Sequence, residues 1–202
     1  MDRFAIIAIG ASAGGLHCLR EIVSRLRRDI PAAFFVVQHI GAYPSELPAI
    51  LGHRSALAAV HAKDNEPIEA GRLYVAPPDH HLLIARGKVR LSRGPRQNWA
   101  RPAIDPLFES AAEAYGPRTI GVLLSGYLSD GTAGLYHIKD QGGVAIVQDP
   151  REAAAADMPL SALRHVAIDF VLPVSAMPAK LDQLARELSQ PKARTAEQLE
   201  SR

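Results

Sequence analysis

The sequence lacks several features that would point to particular classes of protein. It has one cysteine, Cys18, among 202 residues, so no internal disulfide can form. A chain of this size without disulfides is compatible with a reducing compartment, and we expect it to be cytoplasmic. Its 23 Lys and Arg residues nearly balance 21 Asp and Glu residues, which leaves a net charge of +2. Because this balance supplies no general attraction to nucleic acid, we expect no nucleic-acid partner.

Long apolar segments are absent as well. The first apolar run, from Phe4 to Ile9, is broken by Gly10 and Ser12. It is far shorter than the roughly 20 apolar residues that a membrane span needs. It also lacks the charged start and the long apolar centre of a secretory signal. We interpret it as a buried strand and expect no direct insertion into a membrane.

The composition is typical of one folded domain, with 48% hydrophobic and 22% charged residues. Apolar runs alternate along the chain with segments of helical periodicity. This alternation predicts an α/β fold with a doubly wound, mainly parallel sheet, a Rossmann-like three-layer sandwich. An antiparallel hairpin is predicted at Arg86-Gly87-Lys88, between extended segments 82–84 and 89–91. We expect the domain to span residues 1–190 and residues 191–202 to form a flexible tail, since the latter lack an apolar stripe.

Two of the predicted helices are described here with their bounds. The first is predicted over residues 43–51. A second helix is predicted from Asp105-Pro106 to Gly116-Pro117, because Asp favours the capping position and Pro the first helical position. Its apolar residues recur at helical spacing, which predicts that one face packs on the core.

Ligands of an open parallel sheet bind beyond the carboxyl ends of the strands, where the strand order reverses. This rule selects the polar residues that follow predicted strands. They are Ser12, His39, Asp79, Ser125, Asp130 and Asp149.

Ser12 lies in Gly10-Ala11-Ser12-Ala13-Gly14, a G-x-S-x-G pattern between a strand and a helix. A serine on such a sharp turn can project its hydroxyl above the sheet, beside backbone N–H groups that stabilise an oxyanion. Two interpretations stay open: Ser12 is a nucleophile, or it caps the helix. The segment does not fit a dinucleotide fingerprint, which needs glycine where Ser12 stands, nor a phosphate loop, which needs Lys-Ser or Lys-Thr after the glycines.

His39 follows the second strand, and consecutive strands in such a sheet are usually neighbours. It could therefore lie within hydrogen-bond reach of Ser12 and activate it, although it could also be a polar residue that closes a strand. Asp79, Asp130 and Asp149 are equal candidates for the carboxylate that orients the imidazole. No histidine spacing suggests zinc, so we expect no metal or cofactor.

Six segments together resemble the catalytic domain of the CheB-type chemotaxis protein-glutamate methylesterases. The resemblance covers about residues 4–188. Each segment alone is weak evidence, but their order along the chain is specific. The segments are Ile9-Gly10-Ala11-Ser12-Ala13-Gly14-Gly15, Val37-Gln38-His39, Val75-Ala76-Pro77-Pro78-Asp79-His80-His81-Leu82, Arg101-Pro102-Ala103-Ile104-Asp105-Pro106-Leu107-Phe108, Gly126-Tyr127-Leu128-Ser129-Asp130-Gly131, and Val147-Gln148-Asp149 with Met158-Pro159.

The resemblance implies hydrolysis of glutamate methyl esters on the cytoplasmic segments of chemoreceptors, and deamidation of receptor glutamines. It implies Ser12 as nucleophile, His39 as base and Asp130 as the orienting carboxylate. It also implies backbone support of the oxyanion by the loops that carry Ala13 and Tyr127.

This sequence departs from the family at three places. Ala13 stands where the family usually has threonine. Gly126-Tyr127-Leu128 replaces the usual Gly-Met-Gly, and leucine adopts a positive φ less readily than glycine. The family commonly has an N-terminal receiver domain, whereas the first predicted strand here starts at Phe4. We therefore expect a stand-alone enzyme, with any regulator acting in trans.

Two alternatives stay open at this point. A binding module with the same fold would dock on a receptor or signalling partner without catalysis. A general serine esterase would act on a small molecule.

Overall fold

Seven parallel strands form the central sheet of the computed structural model, which describes residues 4–40 and 43–190. The strands, numbered along the chain together with two strands of a separate hairpin, are β1 (Ala5–Ala11), β2 (Ala32–Gln38), β3 (Ala58–His61), β4 (Arg72–Val75), β5 (His81–Ala85), β6 (Lys88–Ser92), β7 (Thr119–Leu123), β8 (Val144–Gln148) and β9 (Phe170–Leu172). Their order in the sheet is β3-β4-β2-β1-β7-β8-β9. The predicted α/β fold class is confirmed.

The central strand β1 is buried on both faces, as its uninterrupted apolar sequence predicts. Its side chains alternate between two cores. Ile7 and Ile9 belong to one core, while Ile6 and Ala8 belong to the other. This alternation requires a layer of helices on each side of the sheet.

Six α-helices of the described residues supply those layers. They are α1 (Gly15–Ser24), α2 (Leu47–Gly52), α3 (Ile104–Tyr115), α4 (Thr132–Asp140), α5 (Asp157–His165) and α6 (Met177–Ser189). The first, second and sixth pack on one face of the sheet, and the other three pack on the opposite face. Apolar residues at helical spacing in each sequence bury one side of the helix against the sheet.

The predicted antiparallel hairpin is formed by β5 and β6, which pair from His81 with Ser92 to Ala85 with Lys88. Arg86 and Gly87 form its two-residue turn, and Gly87 has a φ of 80° there. The apolar side of the hairpin joins the core under α3.

The helix predicted over residues 43–51 is shorter than expected and begins only at Leu47. A helix from Tyr43 would place Pro48 in its interior, where proline lacks the required N–H and clashes with the carbonyl four residues earlier. Starting at Leu47 puts Pro48 in the first turn, where neither problem arises.

The prediction that Asp105 caps its own helix is wrong. The N-cap residue of α3 is Ala103, and Asp105 lies inside the first turn. A carboxylate from another part of the chain takes the capping role: Asp130 accepts hydrogen bonds from the N–H groups of Ile104 (2.8 Å) and Asp105 (3.1 Å).

The strand order determines which loops meet. β2, β1 and β7 are neighbours, and all three are parallel, so the loops after them leave the same edge of the sheet. From β1 the chain passes first to β2 on one side and later to β7 on the other side. The strand order therefore reverses at the carboxyl end of β1. Within the described residues, no helix is both long and apolar enough to cross a membrane. The predicted tail, residues 191–202, lies outside them.

We expect the substitution Gly134→Ala to destabilise the contact between α3 and α4. A Cβ at Gly134 would lie 2.5 Å from the Cβ of Phe108 and 3.1 Å from the carbonyl oxygen of Asp105. The helices would have to separate, which should lower the free energy of unfolding by about 1–3 kcal/mol in chemical denaturation. Gly52→Ala is the control, since its Cβ would be 3.5 Å from the nearest atom, the Cβ of Ala59. An equal loss in both variants would contradict this explanation.

Candidate active site

Ser12 lies on the turn between β1 and α1. Its N–H donates to the carbonyl of Ser125 (2.9 Å), and its carbonyl accepts from the N–H of Gly15 (2.9 Å) and from Nε2 of Gln38 (2.8 Å). The N-cap residue of α1 is Gly14, with a φ of 78°. The interpretation of Ser12 as a helix cap is therefore wrong, and its hydroxyl is available for other contacts.

His39 follows β2 and contacts Ser12 directly. The backbone N–H of His39 donates to the carbonyl of Ala11 (3.0 Å), which continues the pairing of β2 with β1 beyond the last strand residue. The Nδ1 atom of the ring lies 3.0 Å from Oγ of Ser12. Its Nε2 atom lies 2.7 Å from Oδ2 of Asp130. The imidazole thus bridges the serine and the carboxylate.

Asp130 lies in the loop between β7 and α4 and is 2% exposed. Besides the bond to His39, it accepts the N–H groups of Ile104 and Asp105 and a bond of 2.7 Å from Nδ2 of Asn98. Burial alone would raise the pKa of Asp130. The hydrogen bonds from His39 and from the first N–H groups of α3 outweigh burial, and the pKa is lowered. The group is a carboxylate at neutral pH, so Nε2 of His39 donates to it.

The structure brings a second carboxyl group, that of Asp105, close to Asp130. Asp105 accepts from the N–H of Gly134 (2.7 Å) and from Nδ2 of Asn98 (2.7 Å). Burial, followed by the negative charge of Asp130, raises the pKa of Asp105 to about 6. This proximity could not be predicted from the sequence, because the Asp-Pro pair has a sufficient local explanation as a helix start.

The other candidate carboxylates have different partners. Asp79 accepts from Arg93 (2.6 Å) and from two nitrogens of Arg101 (2.6 and 3.0 Å). Hydrogen bonds from these arginines hold the pKa of Asp79 at about 2. Asp149 is paired with Arg151, and their hydrogen bonds likewise lower the pKa of Asp149 to about 2. Neither carboxylate contacts His39 in the described residues.

Ser125 is buried and supports the turn that carries Ser12. Its hydroxyl donates to the carbonyl of Ala13 (2.7 Å), and it accepts the N–H of Ala155 (2.9 Å). Its backbone N–H donates to Oε1 of Gln148 (2.8 Å). The carbonyl of Ala13 is thus held by the loop after β7.

The loop from Gly126 to Asp130 passes close to Ser12. A Cβ on Gly126 would lie 2.7 Å from the Cβ of Ser12, so only glycine allows this approach. Tyr127 and Leu128 are 62% and 67% exposed. Leu128 has a φ of 66°, the left-handed conformation that glycine would adopt more readily.

The arrangement can support nucleophilic acyl transfer. A serine hydroxyl, an imidazole and a buried carboxylate are connected in series by hydrogen bonds of 3.0 and 2.7 Å. Among the described residues, no cluster of three or more His, Cys, Asp or Glu side chains could hold a metal ion.

Comparisons with known proteins point to one family. The sequence model of the CheB methylesterase family matches residues 7–181. The chain is 43% identical over 171 residues to a Leptospira interrogans protein named putative protein-glutamate methylesterase/protein-glutamine glutaminase, covering 84% of this chain and 89% of that protein. It is 40% identical over 185 residues to protein-glutamate methylesterase/protein-glutamine glutaminase 2 of Anaeromyxobacter dehalogenans, covering 91% of this chain and 54% of that protein. The chain thus spans most of the first relative and about half of the second.

A solved structure has the same fold. The crystal structure of the Thermotoga maritima CheB methylesterase catalytic domain superposes with a TM-score of 0.85 at 36% identity. The match covers 89% of this chain and 98% of that one.

We expect the neutral imidazole of His39 to carry its proton on Nε2, because the carboxylate of Asp130 accepts from that nitrogen and leaves Nδ1 free to accept from Ser12. Long-range ¹H–¹⁵N correlation NMR at alkaline pH would identify the tautomer. The exposed His17 on α1 serves as the reference ring. A proton on Nδ1 would contradict the ring orientation described above.

Proposed function

Because the chain belongs to the CheB methylesterase family, we propose that it is a protein-glutamate methylesterase that hydrolyses γ-glutamyl methyl esters on the cytoplasmic segments of chemoreceptors. The observation that carries the proposal is the hydrogen-bonded series Ser12, His39 and Asp130. The segments proposed as substrate are cytoplasmic, so the enzyme acts in the cytoplasm.

The geometry supports a two-step reaction. Oγ of Ser12 attacks the ester carbonyl while Nδ1 of His39 accepts the hydroxyl proton. The tetrahedral intermediate collapses, and the proton returns from His39 to the departing methoxide, which leaves as methanol. Water then attacks the acyl-enzyme, again with His39 as base, and releases the glutamate carboxylate and Ser12.

Asp130 stabilises the imidazolium that forms in each step and fixes the orientation of the ring. The oxyanion is stabilised by backbone N–H groups of the two loops that carry Ala13 and Tyr127. The close approach of Gly126 to Ser12 supports this assignment, since it brings the second loop next to the nucleophile.

The same acyl-enzyme would form from a receptor glutamine, with ammonia as the leaving group. We therefore propose protein-glutamine deamidation as a second activity, in line with the glutaminase names of the relatives.

The first test is methanol release from methylated cytoplasmic fragments of chemoreceptors. We expect Ser12→Ala to lower kcat by at least about 10³-fold and Asp130→Asn by about 10²–10⁴-fold, because they remove the nucleophile and the group that stabilises the imidazolium. Ser24→Ala, a change on the exposed side of α1, should leave the rate unchanged. Circular dichroism would establish that each variant is folded.

Other outcomes would support other functions. Undiminished release by Ser12→Ala would exclude Ser12 as nucleophile. No release from a well-folded parent that still binds receptor fragments would favour the binding module. Turnover of small esters but not of receptor fragments would favour the general esterase.

The deamidase activity is tested by ammonia release from receptor fragments that carry glutamine at the modification positions. We expect slower turnover than for the ester, since an amide is a less reactive acyl donor, and loss of the activity in Ser12→Ala. Ammonia release that survives Ser12→Ala would show that deamidation does not use this site.

A further inference from the structure

Three residues outside the triad donate hydrogen bonds to its carboxylate: Asn98 through its side chain, and Ile104 and Asp105 through their backbone N–H groups. Nδ2 of Asn98 donates to Oδ1 of Asp130 and to Oδ2 of Asp105, each at 2.7 Å. One amide nitrogen thus joins the two carboxyl groups, and its two protons account for both bonds. Because Oδ2 of Asp130 faces His39, the bond from Asn98 fixes the opposite oxygen of the same carboxylate.

The two carboxyl groups also hold two helices together. Asp130 lies just before Gly131, the N-cap residue of α4, and accepts the first N–H groups of α3. Asp105, in the first turn of α3, accepts the N–H of Gly134 in the first turn of α4. Each helix N-terminus is therefore satisfied by a carboxyl group belonging to the other helix or to the residues just before it.

Asn98 is held in place by the loop between the hairpin and α3. Arg101 donates to the carbonyls of Arg93 (3.0 Å) and Gly94 (2.7 Å) as well as to Asp79. Gln97 and Ala100 pair across the tip of the loop. These bonds hold the loop on both sides of Asn98, whose side chain contacts the two carboxyl groups.

We propose that Asn98 and Asp105 are positioning residues of this triad: Asn98 orients the carboxylate of Asp130, and the negative charge of Asp105 favours the imidazolium of His39 during the reaction. The inference rests on the proposed function. Asp105 lies next to Asp130 in a buried region, where a second negative charge is screened less than at the surface. The negative charges of Asp105 and Asp130 repel each other, and the positive charge that His39 acquires during the reaction offsets this repulsion.

Several other groups can titrate around Asp105. They are Asp130 and His39 in the site, Glu109 one turn further along α3, His137 on α4 beside Glu109, and Tyr136 and His165, which line the same cavity as Asp105. Because burial raises the pKa of Asp105 to about 6, its protonation falls within a range where the enzyme can be assayed. Below that pH the charge of Asp105 is lost while Asp130 stays ionised.

The test compares the pH dependence of kcat/KM for methanol release in the parent, Asp105→Asn and Asn98→Ala. In the parent, we expect kcat/KM to fall by an additional factor of about ten as the pH drops through about 6, because protonation of Asp105 removes the charge that favours the imidazolium. In Asp105→Asn this additional fall should be absent, with kcat about tenfold lower at pH 8 and KM unchanged. In Asn98→Ala, which retains Asp105, kcat should be about tenfold lower while the additional fall near pH 6 remains.

Glu113→Gln is the control, because it removes an exposed carboxylate from the same helix. A purely structural role would lower the thermal midpoint of the variants without changing the shape of the pH profile, and that result would overturn the inference. So would unchanged kcat in folded Asn98→Ala, which tests the proposal even where Asp105→Asn does not fold. Absence of activity in the parent would instead contradict the proposed function, so the two failures are distinguishable.

Discussion

The arrangement around Asp130 depends on keeping a charged carboxylate stable while it is almost entirely removed from water. Burial of such a group costs several kcal/mol unless hydrogen bonds replace its hydration. Here the replacement comes from an imidazole, a side-chain amide and two backbone N–H groups at the start of α3. The same bonds orient the carboxylate toward His39 and anchor the helix. Stability and site geometry therefore have a common origin, and neither could be changed at this residue without the other.

The sheet explains why the residues meet. Ser12, His39 and Asp130 follow β1, β2 and β7, three neighbouring parallel strands, so each needs only a short loop to reach the others. The chain leaves β1 for β2 on one side and later returns to β7 on the other, so the strand order reverses at this edge, where open parallel sheets bind their ligands. Gly134 and Gly126 then permit two close approaches, of α4 to α3 and of the loop after β7 to Ser12.

Much of this could be predicted from the sequence, and the exceptions have physical reasons. Buried strands and helices have local patterns, and Ser12 and His39 lie at strand ends. The carboxylate could not be chosen from the residues alone, because strand order is not a local property. Order alone would not have been sufficient either: Asp79 follows β4, which also neighbours β2, but two arginines pair with it. The contacts of Asp105 could not be predicted either, because its helix is capped by a residue 25 positions away in sequence.

The departure at Leu128 bears on whether the loop can still serve catalysis. A left-handed leucine costs about 1–2 kcal/mol relative to glycine, so the intrinsic preference of Leu128 does not explain the conformation of the loop. It is imposed by the ends of the loop: Gly126 exchanges backbone hydrogen bonds with Ala155 and Met158, and Asp130 is fixed by its four donors. The leucine side chain points into solvent, so it adds no clash to the backbone cost. Because the ends determine the path, replacing glycine here changes the stability of the loop more than its geometry, which favours an enzyme over a binding module that has lost its chemistry.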